Sequence, residues 1–534
     1  MQHIALLPTR SSFGPGQPVE IEIVADEAPA FGDATLSVWA LGEHVAALPV
    51  GSAGIHALPA LADGSYGVEL ERNGETLART AVEVSAEPRA RLRYGFVAGY
   101  APDKDVDAAV RLARRLHLNG IQFYDWAYRH ADLVGGGELY TDALDQSISL
   151  DTVRALVAGY RTAGVDSIGY AAVYAVGPDE WPRWEQHALL RPTGEPYALG
   201  DFLFIVDPAA EEWLSHFRAD LTRAQSAVDF DGYHLDQYGY PKFAATPDGT
   251  LVDVAESFVA LIEGVREELP DARLVFNNVN DFPTWRTAAL PQDAVYIEPW
   301  EPNVTLDSLA VIARRARAAS AGQPVVLAAY QHIYDSAPAD AADRAAALTM
   351  ATLFSHGATQ LLAGEDGRLL VDPYYVRNHP AEGSTLAFLT RWYDFLVEHD
   401  ALLMDPAIDE VTSSYVGEYN GDLDVVFNDA AVTLRPEPGA VWRRVTTAAG
   451  GLVVHLINLC GQTDTLWDAP KAEPVSPGDG ELRFRFVGGR TPRVRVADPD
   501  ASARLIDVPV RIEGDLAIAA LPSSHIWQVI HVVF

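Results

Sequence analysis

The sequence has one cysteine and no long apolar run, and each absence argues against a class of protein. Cys460 stands alone, so no intrachain disulfide can form. It follows a strand-like run, where a free cysteine usually packs as a small core residue, and no basic or helix-terminal setting favours a catalytic thiol. The apolar stretch Ile4–Leu7 ends at Pro8, short of a signal-peptide core, and no segment approaches the length of a membrane span. We expect a cytoplasmic protein with no membrane partner.

Basic residues are also scarce. The chain carries 39 Lys and Arg residues against 74 Asp and Glu residues, for a net charge of −35. Such a field repels the phosphates of nucleic acids and anionic lipid headgroups, so we expect neither as a partner. A neutral ligand such as a sugar is compatible with this charge, although an acidic surface can equally serve solubility alone.

Length and composition indicate an ordered protein of several domains. A chain of 534 residues exceeds what one hydrophobic core usually supports. Its 49% hydrophobic and 21% charged residues are typical of globular proteins and not of disordered or fibrous ones.

The two ends of the chain have the alternating pattern of β-strands. Residues 1–88 contain runs such as Val19–Val24 and a hairpin signal at Asn73-Gly74, which predict a β-sandwich that ends at a Glu87-Pro88-Arg89 linker. Alternation returns after residue 403, for example in Glu481–Phe486. We therefore predict an N-terminal β-sandwich over residues 1–88, a central domain over 89–403 and a C-terminal antiparallel β-sandwich over 404–534.

Residues 89–403 alternate between short apolar runs and longer amphipathic segments. One helix is predicted to begin at Asp207-Pro208 and to bury Leu214, Phe217 and Leu221, and another carries Val106, Val110 and Ala113 on one face. Eight strands precede such segments: Arg93–Val97, Gly120–Tyr124, Ser167–Ala171, Gly232–Asp236, Leu274–Asn277, Val295–Glu298, Val325–Ala328 and Thr359–Leu362. Eight such units predict a closed α/β barrel of the (β/α)₈ (TIM) type. A doubly wound open sheet is the alternative, but no glycine-rich phosphate loop accompanies any strand.

Active sites of such barrels form at the carboxyl ends of the strands, and two carboxylates stand there. Asp236 ends the fourth predicted strand and Glu298 ends the sixth. A carboxylate at the end of a buried strand is costly unless it is paired or catalytic. Each could pair with an arginine or cap a loop. Their Tyr, Trp, His and Gln neighbours favour a sugar site, because aromatic faces stack on pyranose rings and amides bond hydroxyl groups.

Other polar residues stand on the same predicted rim. Asp125 is a candidate to hold sugar hydroxyls, against an alternative in which it forms a salt bridge with Arg129. Asn277 and Asn278 both end the fifth strand, and the second is taken as the contact. The predicted substrate-binding residues are Gln122, Tyr124, Asp125, Tyr174, His234, Gln237, Asn278, Trp300, Gln331 and Glu365.

Motifs for other chemistries are missing from the sequence. It has no His-x-x-x-His or Cys-x-x-Cys pair and no Walker loop, and Ser355-His356 is not part of a nucleophile elbow. We expect neither a metal nor another cofactor.

Four segments together resemble glycoside hydrolase family 66, the dextranases and cycloisomaltooligosaccharide glucanotransferases. The resemblance rests on Asn119–Trp126 with Arg129 and His130, on Gly232–Gln237, on Tyr296–Trp300, and on Leu362–Glu365 followed by Asp372–Tyr375. It covers the predicted barrel, and the flanking regions are similar to the family's immunoglobulin-like N-terminal module and C-terminal sandwich.

The resemblance implies a retaining glycoside hydrolase acting by double displacement, with Asp236 as nucleophile and Glu298 as general acid/base. It implies an α-1,6-glucan oligosaccharide as substrate, dextran-like, linear or cyclic. Two alternatives stay open: a glucanotransferase, which passes the sugar to another sugar instead of water, and a non-catalytic α-glucan-binding protein.

Overall fold

The structure is a computed structural model that describes residues 4–25, 32–417, 419–486 and 492–534. Its centre is a curled sheet of mostly parallel strands. In chain order, the first to eighth parallel strands are Tyr94–Val97, Gly120–Phe123, Asp166–Ala172, Gly232–Asp236, Arg273–Val279, Ala294–Glu298, Val325–Leu327 and Ala358–Gln360. Each pairs in parallel with the next.

The sheet curls until the segment after the eighth strand meets the first. Ala363–Gly364 pairs in parallel with the first strand, and Arg368–Leu369 and His379–Pro380 continue the sheet in antiparallel fashion. The predicted α/β class with a curled parallel sheet is confirmed.

Helices lie between and after the parallel strands. The α-helices are Val106–Arg115, Leu150–Thr162, Trp181–Trp184, Glu211–Val228, Val254–Glu268, Thr284–Thr287, Leu306–Ala319, Ala339–Ser355, Gly383–Glu398 and Asp400–Leu403. Short 3₁₀ helices span Pro88–Ala90, Glu185–His187, His332–Asp335, Tyr375–Arg377 and Thr412–Tyr415. Small strands in the connecting segments are Leu139–Thr141, Ser147–Ser149, Ala175–Val176, Ala198–Leu199, Leu203–Ile205, Phe243–Ala245 and Leu251–Asp253. Among the described helices, none is both long and apolar enough to cross a bilayer.

The helix predicted from Asp207-Pro208 starts later than expected. It begins at Glu211, because the Asp207 carboxylate accepts hydrogen bonds from the Ala209 N–H at 3.0 Å and from the Ser257 hydroxyl at 2.7 Å, and so organises a turn ahead of the helix. Phe217 and Leu221 are buried as predicted, whereas Leu214 is half-buried.

The N-terminal region consists of two small antiparallel sheets around a shared core. One contains Ile4–Pro8, Val19–Ala25 and Gly54–Leu58, and the other contains Ala34–Ala40, Glu43–Val50, Gly64–Arg72 and Glu75–Val84. The predicted hairpin at Asn73-Gly74 is confirmed. Both residues have positive φ, 54° and 80°, as a tight two-residue hairpin turn requires.

The C-terminal region is also built from two sheets whose inner faces share one apolar core. The larger contains Asp409–Glu410, Val432–Thr433, Val441–Ala448, Gly451–Asn458, Arg493–Ala497, Ile506–Val508 and Trp527–Val533. The smaller contains Leu423–Phe427, Gly480–Arg485, Val510–Glu513 and Leu516–Leu521. Cys460 is buried in this core, as predicted. The proposed domain limits at 88/89 and 403/404 stay predictions.

Candidate active site

The carboxyl ends of the parallel strands surround a cavity of about 210 Å³. Because side chains alternate along a strand, every second residue points into the curl of the sheet. In the fourth strand these are His234 and Asp236, and Glu298 reaches the same cavity from the sixth. The two predicted catalytic carboxylates therefore line one cavity, and both are half-buried.

Asp236 is held by neutral donors. Its Oδ1 accepts a hydrogen bond from the Asn277 amide at 2.7 Å, and its Oδ2 accepts one from the Tyr170 hydroxyl at 2.7 Å. Burial raises the pKa of Asp236 to about 6, and the hydrogen bonds from Asn277, Tyr170 and the Gln237 backbone oppose that rise.

Glu298 is held from both sides as well. Its Oε1 accepts a hydrogen bond from the Tyr330 hydroxyl at 2.6 Å, and its Oε2 accepts one from the Trp300 indole N–H at 3.2 Å. Burial, and secondly the nearby charge of Asp236, raise the pKa of Glu298 to about 7, while hydrogen bonds from Tyr330, Trp300 and Asn277 act to lower it.

The two carboxylates share surroundings that favour one proton between them. The Asn277 side chain donates to Asp236 and also acts to lower the pKa of Glu298, so a single amide influences both groups. Among the described residues of the cavity wall there is no lysine or arginine. With no cation to balance two negative charges, the pair holds a proton into the neutral range, and the titration belongs to the pair. Burial, and secondly the charge of Asp236, raise the pKa of Glu298, which favours that proton on Glu298.

Asp125 stands beside this pair at the end of the second strand. Burial, followed by the charges of Asp142 and Asp236, raises its pKa to about 8. Its backbone has a φ of 41°, a strained conformation for a non-glycine residue that is often found at functional sites. The alternative in which it pairs with Arg129 is wrong. Arg129 instead lies over the Tyr128 ring and donates to the Tyr128 and Thr141 carbonyl oxygens.

The rest of the wall is aromatic, aliphatic or polar, and its described residues include no arginine or lysine. The Tyr124 and Tyr375 rings stack with their centroids 4.2 Å apart, and the Trp300 ring lies 5.6 Å from that of Tyr330. Burial lowers the pKa of His234 to about 3, so this imidazole is neutral at physiological pH. The predicted binding residues that line the cavity are Gln122, Tyr124, Asp125, His234, Gln237 and Trp300.

Two of the remaining predicted contacts face away from the cavity into hydrogen-bonded cores. Asn278 donates to the Phe276 and Tyr296 carbonyl oxygens and accepts from Thr287. Gln331 is fully buried and donates to Thr349. Direct contact with a ligand is corrected to an internal structural position for both: the alternation of side chains turns Asn278 outward, and Gln331 lies in the loop after the seventh strand with its side chain buried against Thr349.

The other two support loops next to the cavity. The Tyr174 hydroxyl donates to the Tyr240 carbonyl oxygen at 2.8 Å and accepts from the Tyr238 N–H at 2.9 Å. Glu365 accepts from the N–H groups of Ala98 and Gly99 and forms an ion pair with Lys104. These bonds occupy the polar atoms that the prediction assigned to a sugar, so Tyr174 and Glu365 are also corrected to structural positions.

Sequence reasoning missed the hydroxyl donors Tyr170 and Tyr330 and undervalued Asn277. Tyr170 pairs in register with His234, two residues before Asp236, and so points to the same side of the sheet. A tyrosine two residues from a strand end, in phase with a catalytic carboxylate on the next strand, is the signal that could have identified it. Among the described residues, no group of three or more His, Cys, Asp or Glu side chains is arranged to hold a metal ion.

Buried carboxylates among aromatic rings and amides, at this end of a parallel sheet, are features of a sugar-processing site. The chain belongs to glycosyl hydrolase family 66, whose model matches residues 9–531.

The chain is also similar to a curated protein and to solved structures. A cycloisomaltooligosaccharide glucanotransferase of Niallia circulans is 24% identical over 301 residues, which cover 51% of this chain and 31% of that protein. This chain thus matches about a third of the length of that curated relative. Among solved structures, a cycloisomaltooligosaccharide glucanotransferase of Paenibacillus sp., complexed with cycloisomaltoheptaose, superposes with a TM-score of 0.86 at 18% identity, covering 99% of this chain and 100% of that one.

A more distant structural likeness is to a maltogenic α-amylase of Thermotoga neapolitana. The TM-score is 0.52 at 9% identity, over 84% of this chain and 99% of that one. At these identities both structural matches show the fold alone.

Proposed function

We propose that this protein is a retaining enzyme that cleaves α-1,6-glucosidic bonds of isomaltooligosaccharides, linear or cyclic, by double displacement at the mouth of a closed (β/α)₈ barrel. The observation that carries the proposal is the pairing of Asp236 and Glu298 in one cavity around the Asn277 amide. The order of the two pKa values suits the two roles, since the pKa of Glu298 is raised to about 7 and that of Asp236 to about 6, and the acid must be protonated while the nucleophile is ionised.

In the first step Asp236 attacks the anomeric carbon while Glu298 gives its proton to the departing O6. A bond forms between the Asp236 carboxylate and the sugar, and the glycosidic bond breaks. The Tyr170 hydroxyl and the Asn277 amide bond the two Asp236 oxygens, which fixes the direction of attack. The product of this step is a β-glucosyl enzyme.

In the second step Glu298, now ionised, takes a proton from the acceptor as the acceptor attacks the β-glucosyl carbon. The bond between that carbon and Asp236 breaks, and Asp236 leaves as the carboxylate. Two inversions give net retention of the α configuration. Besides burial, the negative charge of Asp236 raises the pKa of Glu298. That charge is lost in the intermediate, so Glu298 can then act as the base.

The acceptor decides between hydrolysis and transfer. Hydrolysis is proposed first, because water needs no second binding surface beside the cavity. Transfer to a sugar hydroxyl is the second candidate, and the names of the relatives from Niallia circulans and Paenibacillus sp. favour it. The 210 Å³ cavity is smaller than the roughly 300–1,000 Å³ typical of small-molecule sites. A longer glucan would therefore extend past it.

Product analysis by mass spectrometry, with a parallel reducing-end assay, tests the proposal on linear and cyclic α-1,6-glucosides. Hydrolysis gives one new reducing end for each bond broken, and every product is shorter than its substrate or is linearised. Transfer gives larger or cyclic products without matching reducing ends. Binding of the oligosaccharides with no turnover across a range of pH would replace the proposal with the non-catalytic alternative.

A further inference from the structure

A second cavity lies at the opposite end of the parallel strands. Its volume is about 410 Å³, and its wall includes Leu92, Val325 and Thr359, which stand at the amino-terminal ends of the first, seventh and eighth strands. Among the described residues, its lining shares no member with the cavity of Asp236 and Glu298. It is closed on one side by the C-terminal region, through Glu410 and Arg444.

The charge of this cavity is opposite to that of the molecule. Its lining contains five arginines and three carboxylates, in a chain with a net charge of −35. The arginines are Arg91, Arg93, Arg314, Arg317 and Arg444, and the carboxylates are Asp400, Asp409 and Glu410.

Three of the arginines have carboxylate partners. Arg93 pairs with Glu83 at 2.7 Å, Arg91 pairs with Asp400 at 2.8 Å, and Arg444 pairs with Glu410. In the part of the chain that the structure describes, neither Arg314 nor Arg317 has a carboxylate within 4.0 Å.

The guanidinium group of Arg317 is oriented by neutral groups. It donates to the Gly357 carbonyl oxygen at 3.2 Å and to the Asp405 carbonyl oxygen at 3.0 Å. Gly357 has a φ of 69°, and a Cβ built on it would lie 2.0 Å from an Arg317 nitrogen, so only glycine leaves room for this guanidinium. Burial, and secondly the charge of Arg91, lower the pKa of Arg317, while the charge of Asp405 acts to raise it.

Arg317 lies in the last turn of helix Leu306–Ala319, where a positive charge interacts favourably with the helix dipole. The dipole accounts for the position of this one arginine and not for the others. Arg314 lies one turn earlier on the same side, and Arg444 comes from a strand of the C-terminal region. All three line the cavity, and burial, followed by the charges of Arg317 and Arg314, lowers the pKa of Arg444 to about 10 against the opposing effect of Glu410. Three guanidinium groups from two regions of the chain thus converge with one carboxylate, Glu410, among them.

We propose that this cavity binds a small phosphorylated anion at Arg314, Arg317 and Arg444. Arginine forks match the oxygens of a phosphate group and form charge-assisted hydrogen bonds to them. A doubly charged anion would relieve the repulsion among the three groups. The cavity volume of about 410 Å³ exceeds the volume of a phosphate ion and falls in the range of small-molecule sites. A ligand that joins a phosphate to a sugar-sized group therefore matches the cavity in size.

Isothermal titration tests the proposal with inorganic pyrophosphate and with glucose 6-phosphate as separate probes, at constant ionic strength, and with glucose as the neutral control. The wild-type protein is expected to bind the anionic probes saturably in a 1:1 ratio and to show no saturable binding of glucose. Tighter binding of glucose 6-phosphate than of pyrophosphate would assign a phosphorylated sugar, and the reverse would assign an inorganic polyphosphate.

Four variants locate the site. Arg317→Gln is expected to weaken binding by about tenfold or more, and the exposed Arg314→Gln by several-fold. Glu410→Gln should strengthen binding, because it removes the carboxylate among the three arginines. Arg315→Gln is the matched control: it removes the same charge from the same helix, but Arg315 pairs with Asp281 and does not line the cavity.

Absence of saturable binding by the wild type would overturn the proposal. Equal affinities in the Arg314→Gln and Arg315→Gln variants would also do so, and this comparison stands even if Arg317→Gln fails to fold, because Arg314 is exposed. The titration uses no glucan and no turnover, so its result is independent of the function proposed for Asp236 and Glu298.

Discussion

Buried Arg273, at the amino-terminal ends of the parallel strands, and the carboxylates Asp236 and Glu298, at their carboxyl ends, have opposite kinds of partner. At the amino-terminal end Arg273 is almost fully buried, and it donates to the Asp166 carboxylate at 2.8 Å and to the Arg91 carbonyl oxygen at 2.8 Å. At the carboxyl end Asp236 and Glu298 meet hydroxyl, amide and indole donors and no cation of the described cavity wall. The Arg273–Asp166 pair has a structural role, whereas two carboxylates without a cationic partner retain a proton that can take part in catalysis.

The largest expected effect is loss of activity at the carboxyl end. Asp236→Asn should lower kcat by about 10⁴-fold or more, since an amide cannot form the glucosyl ester. Its free energy of unfolding should stay the same or rise, because the change removes a buried charge that has no cationic partner. Steady-state rates on isomaltooligosaccharides and urea unfolding measure both quantities. Residual wild-type rates would show that another residue is the nucleophile.

Removal of a buried charge at the amino-terminal ends of the strands should lower the free energy of unfolding and leave the catalytic rate nearly unchanged. Arg273→Gln leaves Asp166 with the more distant Arg89, 3.2 Å away, and should lower the free energy of unfolding by about 3 kcal/mol. Urea unfolding measures this loss, and kcat/KM of the folded fraction should stay within a factor of about two. A fall in kcat/KM as large as that in Asp236→Asn would remove the distinction between the two ends.

Asn277 and Asn278, adjacent in the fifth strand, allow the effects on rate and on stability to be compared within one strand. Asn277→Ala should lower kcat by roughly 10²-fold, because it removes the amide shared by the two carboxylates. Asn278→Ala is the matched change on the outer side. It breaks three hydrogen bonds and should cost about 2–3 kcal/mol of unfolding free energy with little effect on kcat. Rate measurements and urea unfolding on both variants would contradict the account if the two effects were exchanged.

The smallest expected effect is a shift in the pH profile. kcat/KM should fall at low pH as Asp236 takes up a proton and at high pH as Glu298 loses its own, with both apparent pKa values belonging to the pair. The Tyr330 hydrogen bond stabilises ionised Glu298, so Tyr330→Phe should raise the pKa of Glu298 and move the alkaline limb upward by about one unit.

Tyr170→Phe should likewise raise the pKa of Asp236 and move the acidic limb upward. The two tyrosine variants control for each other, since each is expected to move one limb more than the other. Profiles of kcat/KM against pH for wild type and both variants provide the measurement. An acidic limb that moves most in Tyr330→Phe would reverse the assignment of acid and nucleophile.

The strands and both carboxylates were predictable from the sequence because each parallel strand is a short apolar run with a polar end. Asp236 and Glu298 are the last residues of their strands in the structure, as predicted. The start of the helix after Asp207 was not predictable in the same way, because hydrogen bonds to the Asp207 side chain form a local turn that competes with helix initiation.

Side-chain direction was the harder part to predict. Asn278 was chosen where Asn277 lies in the site, and Gln331 was chosen where its neighbour Tyr330 bonds Glu298. A shift of one residue along a strand reverses the side of the sheet that a side chain faces. Once the inward positions of the neighbouring strand are known from its carboxylate, taking every second residue of the fifth strand selects Asn277 instead of Asn278. Tyr330 follows the seventh strand, so its direction depends on the loop and could not be counted.

Chemical rescue with azide tests the central claim most directly. With an α-isomaltosyl fluoride as substrate, Asp236→Ala should yield the β-glycosyl azide, because azide replaces the missing nucleophile in one displacement. Glu298→Ala should yield the α-glycosyl azide, because azide attacks the glucosyl enzyme formed on Asp236. Anomeric proton NMR distinguishes the two products. The same anomer from both variants, or the two anomers exchanged, would contradict the roles given to the two carboxylates.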